Sequence, residues 1–342
     1  MGEVEQLREA VRETGLFARD RPLLAMISGG RDSTCLLDVA VAVLAPDHVF
    51  ALHVNYALRP EAGAEEERCR ELCAALGVEL EVVRPDGAEA RAGLAAAAGQ
   101  GEGAHHGEPQ ATGNLQAWAR ELRYGAAERL AAERDALIAT GHTASDQVET
   151  ILYRLAASPG RRALLGMPAA EGRLVRPLLG ITREQTGAYC AARGLDWTDD
   201  ASNEDTRFAR ARVRHGLVPA LRAVHPAAES NVLRTALLLR EETELLDGLV
   251  DEELAGRSAV ELSRLKEMPP ALARLVVVRL AEQATGGFVP RAGERVGELL
   301  ELGRRGGRAE LHVGGRAGAV IEDGVVRMVR LPPRAERRPH DL

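Results

Sequence analysis

Two regimes of apolar and polar spacing divide this chain. In the first, short apolar runs bounded by turn residues alternate with longer segments whose apolar positions recur every three or four residues. Leu23–Ile27 and Ala136–Thr140 lack a polar face, the pattern of strands covered on both sides, and Val49–Asn55 and Val78–Val83 are read as their neighbours. Between and after them, Thr34–Leu44, Glu61–Leu76, Leu115–Arg134 and Asp146–Ala157 have helical spacing. A short strand at Leu174–Arg176 and a helix at Thr182–Arg193 close the series. Strands alternating with helices predict an α/β fold with a parallel sheet and crossover connections.

After Pro226 the spacing becomes helical at Ser230–Asp247, Ala259–Leu265, Pro270–Ala284 and Arg291–Gly303. It then shifts to short alternating runs at Ala309–Val313, Gly318–Glu322 and Val325–Val329, separated by glycines. The expected organisation is an N-terminal domain over 1–216, a helical region over 217–305 and a small C-terminal α+β module, with a small β element over 306–333 and a tail over 334–342. Residues 86–113 are rich in Gly and Ala and longer than a usual connection, so they read as a surface loop. His105 and His106 lie there without a nearby cysteine, and they read as loop residues before metal ligands.

The first candidate chemistry lies where the first strand meets its helix, at Ser28-Gly29-Gly30-Arg31-Asp32-Ser33. The opening amides of a helix lack internal partners and point at anions, and glycines let the backbone approach a phosphate closely. Ser28 and Ser33 add hydroxyl donors. The Gly-Lys-Ser/Thr ending of a Walker loop is missing. Asp32 would repel a polyphosphate unless Mg2+ lay between them, so it reads as metal-linked; the alternative is an ordinary helix cap. A second strand–turn–helix, Gly141-His142-Thr143-Ala144-Ser145-Asp146-Gln147-Val148-Glu149-Thr150, places Asp146, Glu149 and Thr150 on one helical face. In a parallel sheet both turns open onto the same carboxyl-end crevice, together with His53 and Asn55.

The hexapeptide resembles the PP-loop of the ATP pyrophosphatases, the adenylating group that includes GMP synthetase and asparagine synthetase. Paired with His53-Val54-Asn55-Tyr56-Ala57-Leu58-Arg59 and with residues 141–150, it resembles the tRNA(Ile) lysidine synthetases. Arg120–Tyr124, Arg176–Leu179, Gly194–Trp197, Asp200–Asn203 and Arg210–Arg214 follow that family's order, and the likeness covers about Leu23 to Pro226. Three positions depart from it: Tyr56 stands where His is frequent, Ser145 where a second acid is frequent, and Ala211 where Asn is frequent.

The resemblance implies a Rossmann-like PP-loop domain and a C-terminal region that grips tRNA. It implies a two-step reaction in which ATP adenylates the wobble cytidine of a CAU anticodon and free L-lysine then displaces AMP. Ser28 to Ser33, His53, Asn55, Gly141 and His142 are the expected ATP contacts. Asp32, Asp146, Arg210 and Arg212 are the expected catalytic groups, with Asp32 and Asp146 toward Mg2+. Arg120, Arg123, Glu149, Asn203, Arg207 and Arg214 are expected to meet tRNA or lysine.

Composition narrows the alternatives. The chain has 342 residues, 45% of them hydrophobic, which is enough for two or three packed domains. It has no run long enough to span a bilayer and no signal-peptide pattern at its start, so a cytoplasmic protein is expected, with a homodimer as one assembly to test for. Four cysteines make neither a CxxC pair nor a disulfide framework, which argues against a thiolase carrying an iron–sulfur cluster. The net charge of −7 is unusual for an RNA enzyme. Distribution offsets it: Arg207, Arg210, Arg212, Arg214 and Arg222 occupy a stretch without any acid, and three of them fall on one helical stripe. A PP-loop synthetase acting on a small molecule is the main rival.

Overall fold

The computed structural model describes residues 2–18, 20–57, 62–87, 111–157, 160–198 and 209–332. They divide into two compact units, Met1–Ala236 and Leu237–Leu342.

The first unit is built on a six-stranded sheet. Strands β1 (Leu23–Ile27), β2 (Val49–Val54), β3 (Glu79–Val83), β4 (Leu137–Ala139), β5 (Ala170–Glu171) and β6 (Leu174–Val175) take the order β3-β2-β1-β4-β6-β5. All neighbours are parallel except the edge hairpin β5–β6. Every residue of β1 and β2 is buried, and alternate side chains feed two cores. Leu23, Ala25 and Ile27 face the layer containing α1 (Glu3–Glu13), α2 (Arg31–Leu44), α3 (Ala62–Leu76) and α7 (Arg183–Arg193). Leu24, Met26, Phe50 and Leu52 pack with Leu122, Ala126 and Ala127 of α4 (Ala111–Glu133). Two covered faces explain why these strands lack a polar side.

Chain order reverses between β1 and β4, so their carboxyl ends frame the crevice where open α/β sheets take ligands. From β1 the chain enters α2, and from β4 it enters α5 (Ala144–Ala157). The short α6 (Arg161–Leu164) follows. Helix α7 starts with a capping box between Thr182 and Gln185 and ends at the left-handed Gly194. After it come α8 (Ala209–Arg212), a π-helical turn at Val213–Leu217 and α9 (Val218–Val224). The π turn interrupts the regular α spacing assumed for the arginine stripe.

Helix α10 (Ala228–Leu254) leads into the second unit. There β7 (Ala259–Glu261), β8 (Ala309–Gly314), β9 (Ala317–Glu322) and β10 (Val325–Arg330) form an antiparallel sheet in the order β7-β10-β9-β8. The β9–β10 hairpin turns through Asp323 and Gly324, both at positive φ. Its core joins Val276, Val277 and Leu280 of α12 (Pro270–Thr285) and Leu299 of α13 (Val296–Arg304) with Val313, Ile321 and Val326.

Several sequence expectations shift. Residues 259–265, read as one helix, are β7 followed by α11 (Leu262–Glu267), because Ala259–Glu261 pairs with Val325–Arg327. The helix expected over 291–303 starts as a 3-10 turn at Pro290–Arg295. Most of the 86–113 stretch, including His105 and His106, and the 334–342 tail fall outside the described residues. Among the described residues no helix is long and apolar enough to cross a membrane.

Candidate active site at the β1–β4 crevice

The turn after β1 is held by its own serines. The Ser33 hydroxyl lies 3.2 Å from that of Ser28, accepts the Ser28 amide at 3.1 Å and donates to the Gly30 carbonyl at 2.9 Å. Gly29 has a φ of +76°, and its carbonyl accepts the Thr198 amide at 3.0 Å. Gly30 caps α2 without a side-chain hydrogen bond. The helix therefore presents its first-turn amides, Arg31 to Ser33, to the crevice.

The second turn lies directly against the first. A Cβ on Gly141 would stand 2.9 Å from the Asp32 carbonyl oxygen and 3.1 Å from the Ser33 nitrogen. Only glycine permits that backbone contact. Within the second turn, Thr143 donates both its amide (2.9 Å) and its hydroxyl (2.8 Å) to one oxygen of Asp146, an N-terminal cap that fixes the carboxylate. Burial opposes the charge of Asp146, but Arg183 and the Thr143 bonds outweigh it and hold this carboxyl below its ordinary range. Burial, aided by Arg176, Arg210 and Arg123, depresses the His142 imidazole to about 4 against the pull of Asp146. His142 is therefore neutral at pH 7, with Nδ1 2.8 Å from the Thr140 hydroxyl.

The two turns meet at Arg183, a residue the sequence reading did not single out. Its Nε lies 3.5 Å from Asp32 Oδ2, its Nη2 3.1 Å from Asp146 Oδ1 and its Nη1 3.5 Å from Glu149 Oε1. Arg214 reaches the same pair, 2.6 Å from Glu149 Oε1 and 3.5 Å from Asp146 Oδ1. Thr186, fully buried on α7, donates to the other oxygen of Asp32. Helix α7 thus supplies both a cation and a hydroxyl that tie the phosphate turn to the acid pair. Nothing local in residues 182–187 announces this, since the carboxylates they reach lie 34 to 154 residues away.

The remaining sequence-selected residues fall into distinct places. His53 is buried with Nδ1 3.2 Å from the Ile27 carbonyl, and Asn55 donates to Glu66 at 2.8 Å while accepting the Ala57 amide at 2.9 Å. Both brace the strand ends. Arg31 leans toward Asp32 at 3.4 Å. Arg210 donates to Thr150 at 3.2 Å. Arg212 stands on α8 in the lining of a groove. Arg120 and Arg123 stack on Tyr124, at 4.4 and 5.5 Å from the ring centre. Asn203 and Arg207 lie outside the described residues.

The three departures from the family pattern have structural uses. Tyr56 donates to the Ala119 carbonyl at 3.0 Å beside Trp118, Ser145 accepts the Arg183 amide at 3.2 Å, and Ala211 is buried. All four cysteines are buried and unbridged, Cys69 and Cys73 on α3 and Cys35 and Cys190 on α2 and α7. Among the described residues no three metal-ligating side chains cluster.

Comparison with known proteins agrees with this geometry. Residues 3–221 match the PP-loop domain family. The tRNA(Ile)-lysidine synthase of Gloeobacter violaceus is 36% identical over 288 residues, covering 80% of this chain and 81% of that protein. The Chromobacterium violaceum tRNA(Ile)-lysidine synthase is 38% identical over 249 residues, covering 70% of this chain and 51% of that protein. Against this and several further relatives of that name the chain spans about half their length. In fold, the U34-tRNA thiolase NcsA of Methanococcus maripaludis, solved with its 4Fe-4S cluster, superposes with a TM-score of 0.53 at 15% identity over 70% of this chain and 79% of that one. The phosphate turn at the β1–β4 reversal, the PP-loop match over 219 residues (221 − 3 + 1) and the 36% identity along four-fifths of the sequence lead to one assignment: the chain belongs to the tRNA(Ile)-lysidine synthase family of PP-loop proteins.

Proposed function

We propose that this protein joins L-lysine to C2 of the wobble cytidine in the CAU anticodon of tRNA(Ile). The C2 oxygen attacks the α-phosphate of ATP, forming a C–O–P link and releasing pyrophosphate. The lysine ε-amine then attacks C2, the C–O bond breaks, and AMP leaves. The observation that carries this reading is the meeting of the PP-loop turn with the Asp146–Glu149 pair through Gly141 and Arg183. It brings the glycine-rich turn and the Asp146–Glu149 carboxylates side by side.

Each group has a task in this scheme. The first-turn amides of α2 with Ser28 and Ser33 bind the phosphates. Asp32 would hold Mg2+ through Oδ2, which meets Arg183 at the long distance of 3.5 Å while Oδ1 takes the Thr186 hydroxyl, and the ion would neutralise charge on departing pyrophosphate. Asp146 is less suited to that role, because one oxygen takes two bonds from Thr143 and the other faces two guanidinium groups. Asp146 and Glu149, now compensated by Arg183 and Arg214, suit a cationic amine, which must lose a proton before attack. Arg210 and Arg212 are the groups for the α-phosphate, and Arg120, Arg123, Asn203 and Arg207 for the RNA.

The test is AMP and pyrophosphate release from ATP with labelled lysine, given a CAU isoleucine tRNA, a methionine tRNA, or no RNA. Lysine entering only the isoleucine tRNA is expected. ATP turnover without RNA would replace this reading with a small-molecule synthetase.

A further inference from the structure

Helix α7 reaches the phosphate turn with a hydroxyl as well as a cation, and the proposed chemistry gives that hydroxyl no task. Arg183 and Thr186 are three residues apart, so they share a face, and that face lies against the first turn of α2. Cys190, one turn further on, continues the contact with its Sγ 3.7 Å from the Arg31 carbonyl. Gly187 lets the two helices close, since a Cβ there would stand 3.2 Å from Arg31 Cδ. From this face two side chains divide the Asp32 carboxylate between them. Thr186 donates to Oδ1, and Arg183 Nε lies 3.5 Å from Oδ2.

Thr186 does not need Asp32 for its own sake. A fully buried hydroxyl requires a partner, but the Arg183 carbonyl, 3.0 Å from Thr186 Oγ1, would serve, as the carbonyl one turn back commonly does for threonine in a helix. The hydroxyl has one proton and two acceptors in reach, and the carboxylate is the stronger of them. The bond therefore matters to Asp32, whose side chain is 19% exposed beside the first-turn amides of α2. Held at Oδ1, that carboxylate is kept from turning back onto the amides of its own helix, where first-turn acids are otherwise favoured. A cation on Oδ2 would replace one of the carboxylate contacts of Arg183 and leave those to Asp146 and Glu149.

We infer that Thr186 is a positioning residue for the metal–nucleotide complex: by occupying Oδ1 of Asp32 it keeps Oδ2 available to the Mg2+ that accompanies the ATP phosphates. The inference rests on the assignment of Mg2+ to Asp32 in the function proposed above.

The test is ATP binding to the whole chain without RNA, by equilibrium dialysis in excess Mg2+ and again in EDTA, for the native protein, Thr186→Val and Thr186→Ser. Valine keeps the branched shape and removes the hydroxyl, whereas serine keeps the hydroxyl. Thr186→Val should weaken ATP binding in Mg2+ by about 2- to 12-fold, the cost of ordering a carboxylate that the hydroxyl no longer orders. In EDTA its affinity should equal that of the native protein, and Thr186→Ser should match the native protein in both. The Mg2+ concentration giving half-maximal tRNA-dependent AMP release should rise by a similar factor in Thr186→Val alone. Unchanged ATP affinity of Thr186→Val in Mg2+ overturns the inference. An equal loss in Mg2+ and in EDTA also overturns it, marking the hydroxyl as merely structural, and an equal loss in Thr186→Ser does so by assigning the effect to the methyl group. Native protein that binds ATP alike in Mg2+ and in EDTA overturns the Mg2+ assignment and the inference with it, an outcome told apart because it needs no substitution.

Discussion

Replacing Gly141 with alanine tests whether the two turns must touch for the site to work. The added Cβ would sit 2.9 Å from the Asp32 carbonyl oxygen, where ordinary contact starts at 3.4 Å. The backbones must separate by roughly 0.5 Å (3.4 − 2.9), because the obstacle is main chain and no rotamer relieves it. Overpacking of this kind costs about 1–3 kcal/mol, which for a unit of this size lowers the melting temperature by roughly 2–12 °C. Activity should suffer more than stability. A 1 Å misplacement of reacting groups costs about 100-fold, so the half-ångström shift predicts a loss of roughly 10- to 100-fold in tRNA-dependent AMP release. Gly248→Ala is the control: it lies within α10 with nothing near its Cβ, and it should leave turnover unchanged and raise stability slightly. Turnover of Gly141→Ala within about twofold of native would refute the idea that this contact sets the catalytic geometry.

Three further outcomes are expected. Asp32→Asn should abolish AMP release while leaving affinity for the anticodon RNA nearly intact, as read by turnover and by filter binding; retained turnover would remove Asp32 from the chemistry. Asp38 is 2% exposed and receives Arg8, Arg193 and Tyr189. Burial opposes its charge, but the bonds from Arg193, Tyr189 and Arg8 prevail and depress its carboxyl. Asp38→Asn should therefore cost about 3–5 kcal/mol at neutral pH. Its native stabilisation is complete above the unfolded carboxyl value of about 3.9 and is lost as pH falls through the lower folded value, so the melting gap between native and variant should narrow toward pH 3. His142, depressed to about 4, should stay neutral in an NMR titration from pH 7 to 5; because the unfolded state takes up its proton first, this group costs stability progressively as pH drops from about 6.5 to 4. A His142 midpoint near 6.5 would contradict the burial assigned to it.

The sheet was legible because its strands are covered on both faces, which writes their burial directly into Leu23–Ile27 and Ala136–Thr140. The two turns were legible because their chemistry is contiguous in sequence. Arg183 and Thr186 were not, since their importance lies in contacts across the fold with Asp32 and Asp146. Residues 259–261 misled for a related reason: their local spacing suits a helix, but pairing with β10 decides their conformation. Helix α1 was missed although Leu7 and Val11, one turn apart and both buried, carried a usable signal. The arginine run at 210–214 was read as a stripe on a regular α-helix, whereas a π turn starts at Val213, yet Arg210 and Arg214 still meet Thr150 and Glu149.

The Arg183 bridge has a consequence for how substrate enters. The carboxylates of Asp146 and Glu149 already face the head groups of Arg183 and Arg214, two charges against two, with Asp32 sharing Arg183. In the proposed reaction the lysine ammonium competes with these guanidinium groups for Asp146 and Glu149, so its entry would be an ion exchange in place of a simple capture. On that proposal a displaced arginine would turn toward the neighbouring PP-loop turn, and amine affinity should therefore rise once a nucleotide is bound there.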